Sequence, residues 1–285
     1  LFLECTEKAA TALNFKLVQL LQPLFIFVWS TISSMKQEDV IRFYEGDVKG
    51  NDPFYADAKA YVTWNALLFP GMESEKARSE ENRYFNPAFF DHIPEVIDMS
   101  VQLIKCMSKA SDDLHVYRVE RFVDYACFMK EKRITSFLST STAGFLNAYQ
   151  DKKQLVLMDI TIPKGCLCAD FSMLLNAYKK REEKEILLPP YLSFDCHVLE
   201  QPLEIQKISD GEGNPVKIYC HMDMKGFDFP VLNVCESVSE AHIQASKRVY
   251  AALNQKRVCE KEDIEKYLAL KKWIQKEIIR HINNY

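Results

Sequence analysis

The sequence predicts an α+β fold in which a helical lobe is followed by a mixed or antiparallel sheet and then by helices again. Before about residue 111, apolar residues recur at three- and four-residue spacing, as in Ile93, Val96, Ile97, Val101 and Ile104, which is the period of a helix with one buried face. From Leu114 the chain breaks into short apolar runs separated by turn residues, the pattern of strands. After Pro230 the helical pattern returns. The divisions that follow are a helical lobe at 1–111, whose last helix leads into the sheet, a core at 112–230, and a C-terminal helical extension at 231–285.

Within the first part, Leu17 to Ser33 is strongly apolar but is interrupted by Gln19, Gln22 and Pro23. Its uninterrupted run, Leu24 to Trp29, is far shorter than the roughly 20 residues of a membrane span, so a buried helix or helix pair is expected and no membrane span. Gly50-Asn51-Asp52-Pro53 and Pro70-Gly71 punctuate the lobe, and the charged stretch Glu73 to Arg83 reads as a solvent-facing helix or loop. Strands are expected at Leu114 to Glu120, Ile134 to Ser141, Leu155 to Ile162, Glu185 to Leu188, Ser193 to Glu200, Leu203 to Ile208 and Pro215 to Met222. Pro163-Lys164-Gly165 marks a turn, and Gly211-Glu212-Gly213-Asn214 reads as a hairpin loop. Ser239 is placed to cap a helix running towards Gln255, and a last helix starts near Glu260. Its stripe of Ile264, Leu268, Ile274, Ile278 and Ile282 faces a core.

Composition narrows the function. A chain of 285 residues that is 48% hydrophobic can bury a substantial core. A net charge of -4 offers no bulk attraction for nucleic acid or an anionic membrane, so an anionic ligand must be met by local groups. With 8 glycines, no Gly-x-Gly-x-x-Gly and no Walker-type loop, the common phosphate cradles are missing, and side chains must hold any nucleotide. Nine scattered cysteines, odd in number and without a CxxC pair, fit reduced thiols in a cytosol-like compartment. Cys166-Leu167-Cys168 has no partner pair and no neighbouring His, so it reads as two strand or loop thiols, and no metal is expected. The chain begins at Leu1 without a basic, then apolar, leader pattern, so any targeting segment is expected to have been trimmed or never to have existed.

Three stretches carry candidate chemistry. Alternation along Leu114-His115-Val116-Tyr117-Arg118-Val119 places Arg118 on the face of Leu114 and Val116, where a guanidinium needs an anion, either a structural carboxylate or a phosphate clamped by two N–H groups. Ser139 and Ser141 share a face of Phe137-Leu138-Ser139-Thr140-Ser141, either as satisfied strand-edge hydroxyls or as groups that hold a carboxylate or a ribose. Glu183 and Glu185 have strand spacing at the entrance to Ile186-Leu187-Leu188, which Pro189 and Pro190 stop. Like charges on one face raise the pKa of at least one partner unless a cation or substrate shares the site, and such pairs are often catalytic. The plain alternative is a solvated charge run from Lys179 to Glu185.

Taken in order, Tyr117-Arg118, Phe137-Leu138-Ser139-Thr140-Ser141 and Glu183-Lys184-Glu185-Ile186-Leu187-Leu188-Pro189 resemble the Arg, Ser-Thr-Ser, Glu-x-Glu signature of the mono-ADP-ribosyltransferases of the cholera-toxin and clostridial-toxin type. The likeness covers about residues 93 to 222. It departs at Val119-Glu120, where the family usually has Gly after Tyr-Arg. The resemblance implies a split antiparallel sheet core with NAD in its central cleft and a helical lobe alongside. Arg118 would grip the NAD pyrophosphate, Ser139 would hold Glu185, and Thr140 with Ser141 would line the nicotinamide-ribose side. Glu185 would accept a hydrogen bond from the ribose 2'-hydroxyl and stabilise the cation formed as nicotinamide leaves. Phe145 or Tyr149 would stack on nicotinamide or else belong to the core. Glu183 would orient an acceptor arginine and take its proton, with Leu174 to Glu182, including Tyr178, facing the protein substrate.

The function so implied is NAD-dependent mono-ADP-ribosyl transfer to a protein, with a lean to arginine, of the kind used by bacterial toxins and effectors that act in a host cytosol. NAD serves as substrate, with no metal and no nucleic acid. The competing readings are an NAD glycohydrolase or a transferase to another acceptor on the same fold, and an interaction module on a degenerate core.

Overall fold

The computed structural model describes residues 37–44, 52–57, 59–145, 152–171, 184–232 and 238–283, all within one unit, Gln37–Tyr285. The apolar stretch Leu17 to Ser33 lies outside the described residues. Helices come first: α1 (Gln37–Tyr44), α2 (Ala60–Leu68), α3 (Glu73–Glu80), a 3-10 turn (Pro87–Asp91) and α4 (Ile93–Lys105). In α4 the apolar spacing is realised as a buried face of Ile93, Val96, Ile97, Val101 and Ile104. Strands β1 (Ser108–Lys109) and β2 (Leu114–Arg121) follow, then helix α5 (Phe122–Glu131), β3 (Leu138–Ser141), β4 (Leu155–Ile162), β5 (Leu167–Asp170), β6 (Glu185–Leu188) and β7 (Leu192–Val198). A short helix α6 (Leu203–Gln206), β8 (Ile218–Phe227), α7 (Glu240–Asn254) and α8 (Lys261–Asn283) complete the order.

The eight strands form a sheet in the order β1-β5-β6-β3-β2-β4-β8-β7. β2 pairs with β4 along its whole length, from Leu114↔Ile162 to Arg121↔Leu155, but meets β3 at a single pair, Tyr117↔Ser141. The sheet is therefore split into two halves, β7-β8-β4-β2 and β3-β6-β5-β1, which part on either side of that pair. The pairings are antiparallel with one exception, β4 beside β8, which is parallel. After β4 the chain crosses to the other half-sheet for β5 and β6 and returns through β7, which brings β8 alongside β4 in the same direction.

Alternation gives the first half-sheet two faces. Val116, Val156, Met158, Ile160, Cys220 and Met222 point into the main core with Tyr125 and Phe128 of α5. Val119, Leu155 and Leu157 on the opposite face pack with Ile205 of α6 and Val216 in a smaller cluster. The helices after the sheet join the helices before it. Ser79 Oγ donates to Leu253 O at 2.6 Å, Asn254 Nδ2 donates to Phe85 O at 2.7 Å, and Gln275 Nε2 donates to Leu67 O at 3.2 Å. Lys271 of α8 is fully buried and pairs with buried Glu75 of α3, which also accepts a hydrogen bond from Tyr267 Oη at 2.8 Å.

Several local expectations are corrected. The stretch Glu73 to Arg83 is not a solvated face: Ser74, Glu75, Arg78 and Ser79 are buried, because each charge on that face meets a partner from α5 or α8. Leu203 to Ile208 is not a strand; Pro202 has no N–H for a ladder and caps α6 instead. Of Ile134 to Ser141 only Leu138–Ser141 is a strand, since Ile134 spends its backbone groups on Leu192 O and Tyr191 N. The turn at Gly211 to Asn214 closes on the bridge Ser209↔Pro215 rather than on two long strands, with Asp210 accepting from the N–H groups of Glu212 and Asn214. Among the described residues no helix is long and apolar enough to cross a membrane.

The Glu75 and Lys271 pair yields a stability test. Glu75→Gln strands a buried ammonium, and breaking a buried pair from one side costs about 3–5 kcal/mol. Urea denaturation should show a loss of that order for the single variant and recovery in Glu75→Gln/Lys271→Met, where neither charge remains.

Candidate active site

The parting of β2 and β3 leaves a cleft of about 100 Å³ lined by Tyr117, Arg118, Val119, Ser139, Thr140, Ser141, Gly144, Phe145, Lys152 and Glu185. Two stretches from opposite half-sheets meet here: Tyr117 to Val119 from β2, and the Ser-Thr-Ser strand with the first residue of β6. Gly144, at φ 95°, turns the chain away from β3 at the cleft edge in a conformation that suits glycine. Small-molecule sites usually occupy about 300–1,000 Å³, so the lined space is smaller than a whole small-molecule site.

Arg118 spans the split. Its Nη1 donates to Ser139 O at 3.0 Å across the gap that a β2–β3 ladder would otherwise fill. Its Nε and Nη2 both donate to Glu120 Oε2, at 3.0 and 2.7 Å. These bonds use three of the five N–H donors of a guanidinium, and with the side chain 24% exposed, two donors remain to meet an anion. Burial works against the charge on Arg118, but the adjoining Glu120 carboxylate outweighs it and raises the pKa.

Glu120 belongs to a larger buried network. Arg121 Nε donates to Glu81 Oε2 at 2.6 Å, and Arg78 Nη2 pairs with Asp124 Oδ2 at 3.0 Å. Arg121 also stands 3.6 Å from both Glu120 and Asp124. Burial alone would raise the pKa of Glu120, but Arg118, Lys152, Arg121 and Arg78 pull it well below the usual carboxylate range. Lys152, buried at the cleft wall, donates to Val119 O at 2.5 Å. Burial, helped by the neighbouring charge of Arg118, pushes its pKa down to about 7.

On the other wall the register sets Ser141 opposite Glu185, Thr140 opposite Ile186 and Ser139 opposite Leu187. The hydroxyl facing Glu185 across the ladder is thus that of Ser141, while Ser139 contributes its carbonyl to Arg118. Thr140 is buried and donates to Ile186 O at 2.7 Å, a bond that ties β3 to β6. Glu185 is 7% exposed, a carboxylate at the buried start of β6. Phe145 lies edge-on to Tyr117, with ring centroids 5.1 Å apart, and packs on the smaller core cluster while also lining the cleft.

Glu183 lies outside the described residues, as do Tyr149 and the stretch Leu174 to Glu182. Among the described residues the strand begins at Glu185, and Lys184 before it has φ 45°. Three residues at the site escaped the sequence reading. Glu120 was within reach, since it shares a strand face with Arg118 two residues earlier. Lys152 sits in an ordinary polar run, Asp151-Lys152-Lys153, with nothing to mark it. Tyr44 of α1 is buried beside the cleft: burial raises its hydroxyl pKa, with smaller opposing effects of Glu185 and Arg118.

No family model matches the chain, and no curated protein matches it. Solved structures with partial similarity include Plx2a, an ADP-ribosyltransferase toxin from Paenibacillus larvae, at 14% identity and TM-score 0.34 over 57% of this chain and 91% of that one. C3stau2 from S. aureus, solved with NAD, shows 14% identity and TM-score 0.33 over 68% and 90%. The ADP-ribosylating toxin BECa of C. perfringens, solved with NADH, shows 13% identity and TM-score 0.34 over 58% and 47%. Superpositions at these scores are partial.

The buried Lys152 makes stability pH-dependent in a defined sense. With its folded pKa at about 7 against an ordinary 10.5, the unfolded chain binds more protons between those values, so this group makes stability rise with pH there. Between pH 7 and 9 the unfolding free energy of the wild type should gain about 1–3 kcal/mol relative to Lys152→Met, read from urea denaturation at each pH.

Proposed function

We propose that the cleft binds NAD and transfers its ADP-ribose to an arginine of a protein, releasing nicotinamide. The observation that carries this reading is the meeting of Arg118, the Ser139-Thr140-Ser141 strand and Glu185 in one cleft, in the order of the Arg, Ser-Thr-Ser, Glu-x-Glu signature. Arg118 offers its two remaining donors to the pyrophosphate, and that anion would favour the charged form of Lys152 on the same wall. Glu185, with Ser141 across the ladder, stabilises positive charge on the ribose as the bond between C1' and the nicotinamide nitrogen breaks. The nicotinamide leaves with the bond electrons, a nitrogen of the acceptor guanidine bonds to C1', and the proton lost by that nitrogen passes to Glu183. Tyr117 and Phe145 supply the aromatic wall. The unbridged thiols among the described cysteines suit action in a reducing cytosol, and delivery into a host cell completes the reading as a toxin or effector.

The roles of the two glutamates separate experimentally. Glu185→Gln should lower both nicotinamide release and protein labelling about a hundredfold or more, the scale seen when a transition-state charge partner is lost. Glu183→Gln should keep a substantial fraction of nicotinamide release to water while labelling of protein arginine or agmatine collapses. Parallel loss of both activities in Glu183→Gln would move Glu183 to NAD binding, and loss of neither would rule out an arginine acceptor. Near wild-type nicotinamide release by Glu185→Gln would overturn the enzyme assignment.

A further inference from the structure

We infer that the first half-sheet carries a zinc(II) site formed by His115 of β2, Asp159 of β4 and His221 of β8. The expectation of no metal rests on the cysteines alone, and these three residues are far apart in the chain and match no ligand-spacing motif. The strand register brings them together. Asp159 is paired with His221 across the β4–β8 ladder and with Tyr117 across the β2–β4 ladder, one alternation step from His115. All three side chains therefore point to the face opposite Arg118 and Glu120.

His115 Nδ1 lies 2.9 Å from Asp159 Oδ1, and His221 Nδ1 lies 3.7 Å from Asp159 Oδ2. The prospective ligand atoms are all within 4.8 Å of one another. Donors around a tetrahedral zinc with bonds near 2.0–2.1 Å stand about 3.3 Å apart, so the widest separation must close by no more than about 1.5 Å. Rotation of the His115 side chain, 55% exposed, supplies that movement.

The surroundings also fit a metal ligand. The second ring nitrogen of His221, Nε2, is held by Asp223 Oδ1 at 3.1 Å and lies 3.3 Å from Thr161 Oγ1. A carboxylate on the outer nitrogen of a histidine, with the inner nitrogen left for the metal, is the usual support of zinc-bound imidazole. A second imidazole on a carboxylate already engaged by the first adds little to an ion pair, whereas a cation among the three uses every one of them. Two imidazoles and one carboxylate with an open position are a donor set that zinc takes in catalytic sites, where a water completes the tetrahedron, and the exposed side of His115 leaves that fourth position for water. The bound ion would tie β2, β4 and β8, the half-sheet that carries Arg118, without entering the cleft.

The test uses the full chain, free of any affinity tag and stripped of metal. Zinc titrated against a chromophoric chelator should show one equivalent bound with micromolar or tighter affinity, weakened at least tenfold in His115→Ala and in His221→Ala. X-ray absorption of the zinc-loaded wild type should show a nitrogen and oxygen shell with an imidazole signature. Binding that is absent at 100 µM zinc, or undiminished in both variants, would overturn the site. A sulfur-containing shell would do the same, by assigning the metal to the cysteines, and this readout does not depend on how the variants fold.

Discussion

Arg118 is the residue on which the rest of the arrangement depends. A guanidinium on the core face of a strand is tolerable only if its charge is matched and its donors are used, and Glu120, two residues further on, provides most of that match. The third bond, to Ser139 O, reaches the other half-sheet where the β-ladder has failed. One side chain thus bridges the split, with three of its five N–H donors used by these bonds. The Val119-Glu120 departure from the toxin signature acquires a structural meaning: Val119 fills the smaller core cluster, and Glu120 is the built-in counter-ion of the clamp.

Around this pair the protein buries four cationic groups, Arg78, Arg118, Arg121 and Lys152, against three carboxylates, Glu81, Glu120 and Asp124. The depressed pKa of Lys152, about 7, brings the count closer to balance near neutral pH, where its amine is partly neutral. Two of the cationic groups, Arg118 and Lys152, line the cleft. An arriving anion would therefore find a wall that can take up a proton as it binds, which links ligand affinity to pH through the same group that links stability to pH.

Much of the fold was legible because its signals are local. Leu155 to Ile162 and Glu185 to Leu188 appear with the bounds their patterning gives, and the period of Ile93 to Ile104 is that of its buried face; in the last helix the buried face runs instead through Tyr267, Leu270, Lys271, Ile274, Gln275 and Ile278, which takes in only Ile274 and Ile278 of the expected stripe. What failed was decided by partners distant in sequence. Nothing in Glu73 to Arg83 announces that Lys271, some two hundred residues on, will bury Glu75, nor that Asp124 will claim Arg78. At the site, Arg118, Ser141 and Glu185 could be placed because strand alternation and motif order act over a few residues. The resemblance implies Ser139 as the partner of Glu185, whereas the register, set by the whole β3–β6 ladder, puts Ser141 opposite it and Ser139 opposite Leu187. The His115, Asp159 and His221 cluster was illegible because it too depends on strand register.

The functional account and the fold meet in one claim, that the guanidinium bridging the split sheet is also the anion clamp for NAD. Calorimetric titration of NAD into the wild type, Arg118→Ala and Arg118→Lys tests it directly, with thermal unfolding of each variant as the control for folding. Hydrogen bonds to a charged group contribute about 1.5–3 kcal/mol, so the account predicts at least a tenfold loss of affinity in Arg118→Ala and a partial loss in Arg118→Lys, which keeps the charge but not the fork. Unchanged NAD affinity in a folded Arg118→Ala protein would contradict it and leave Arg118 as a purely structural partner of Glu120.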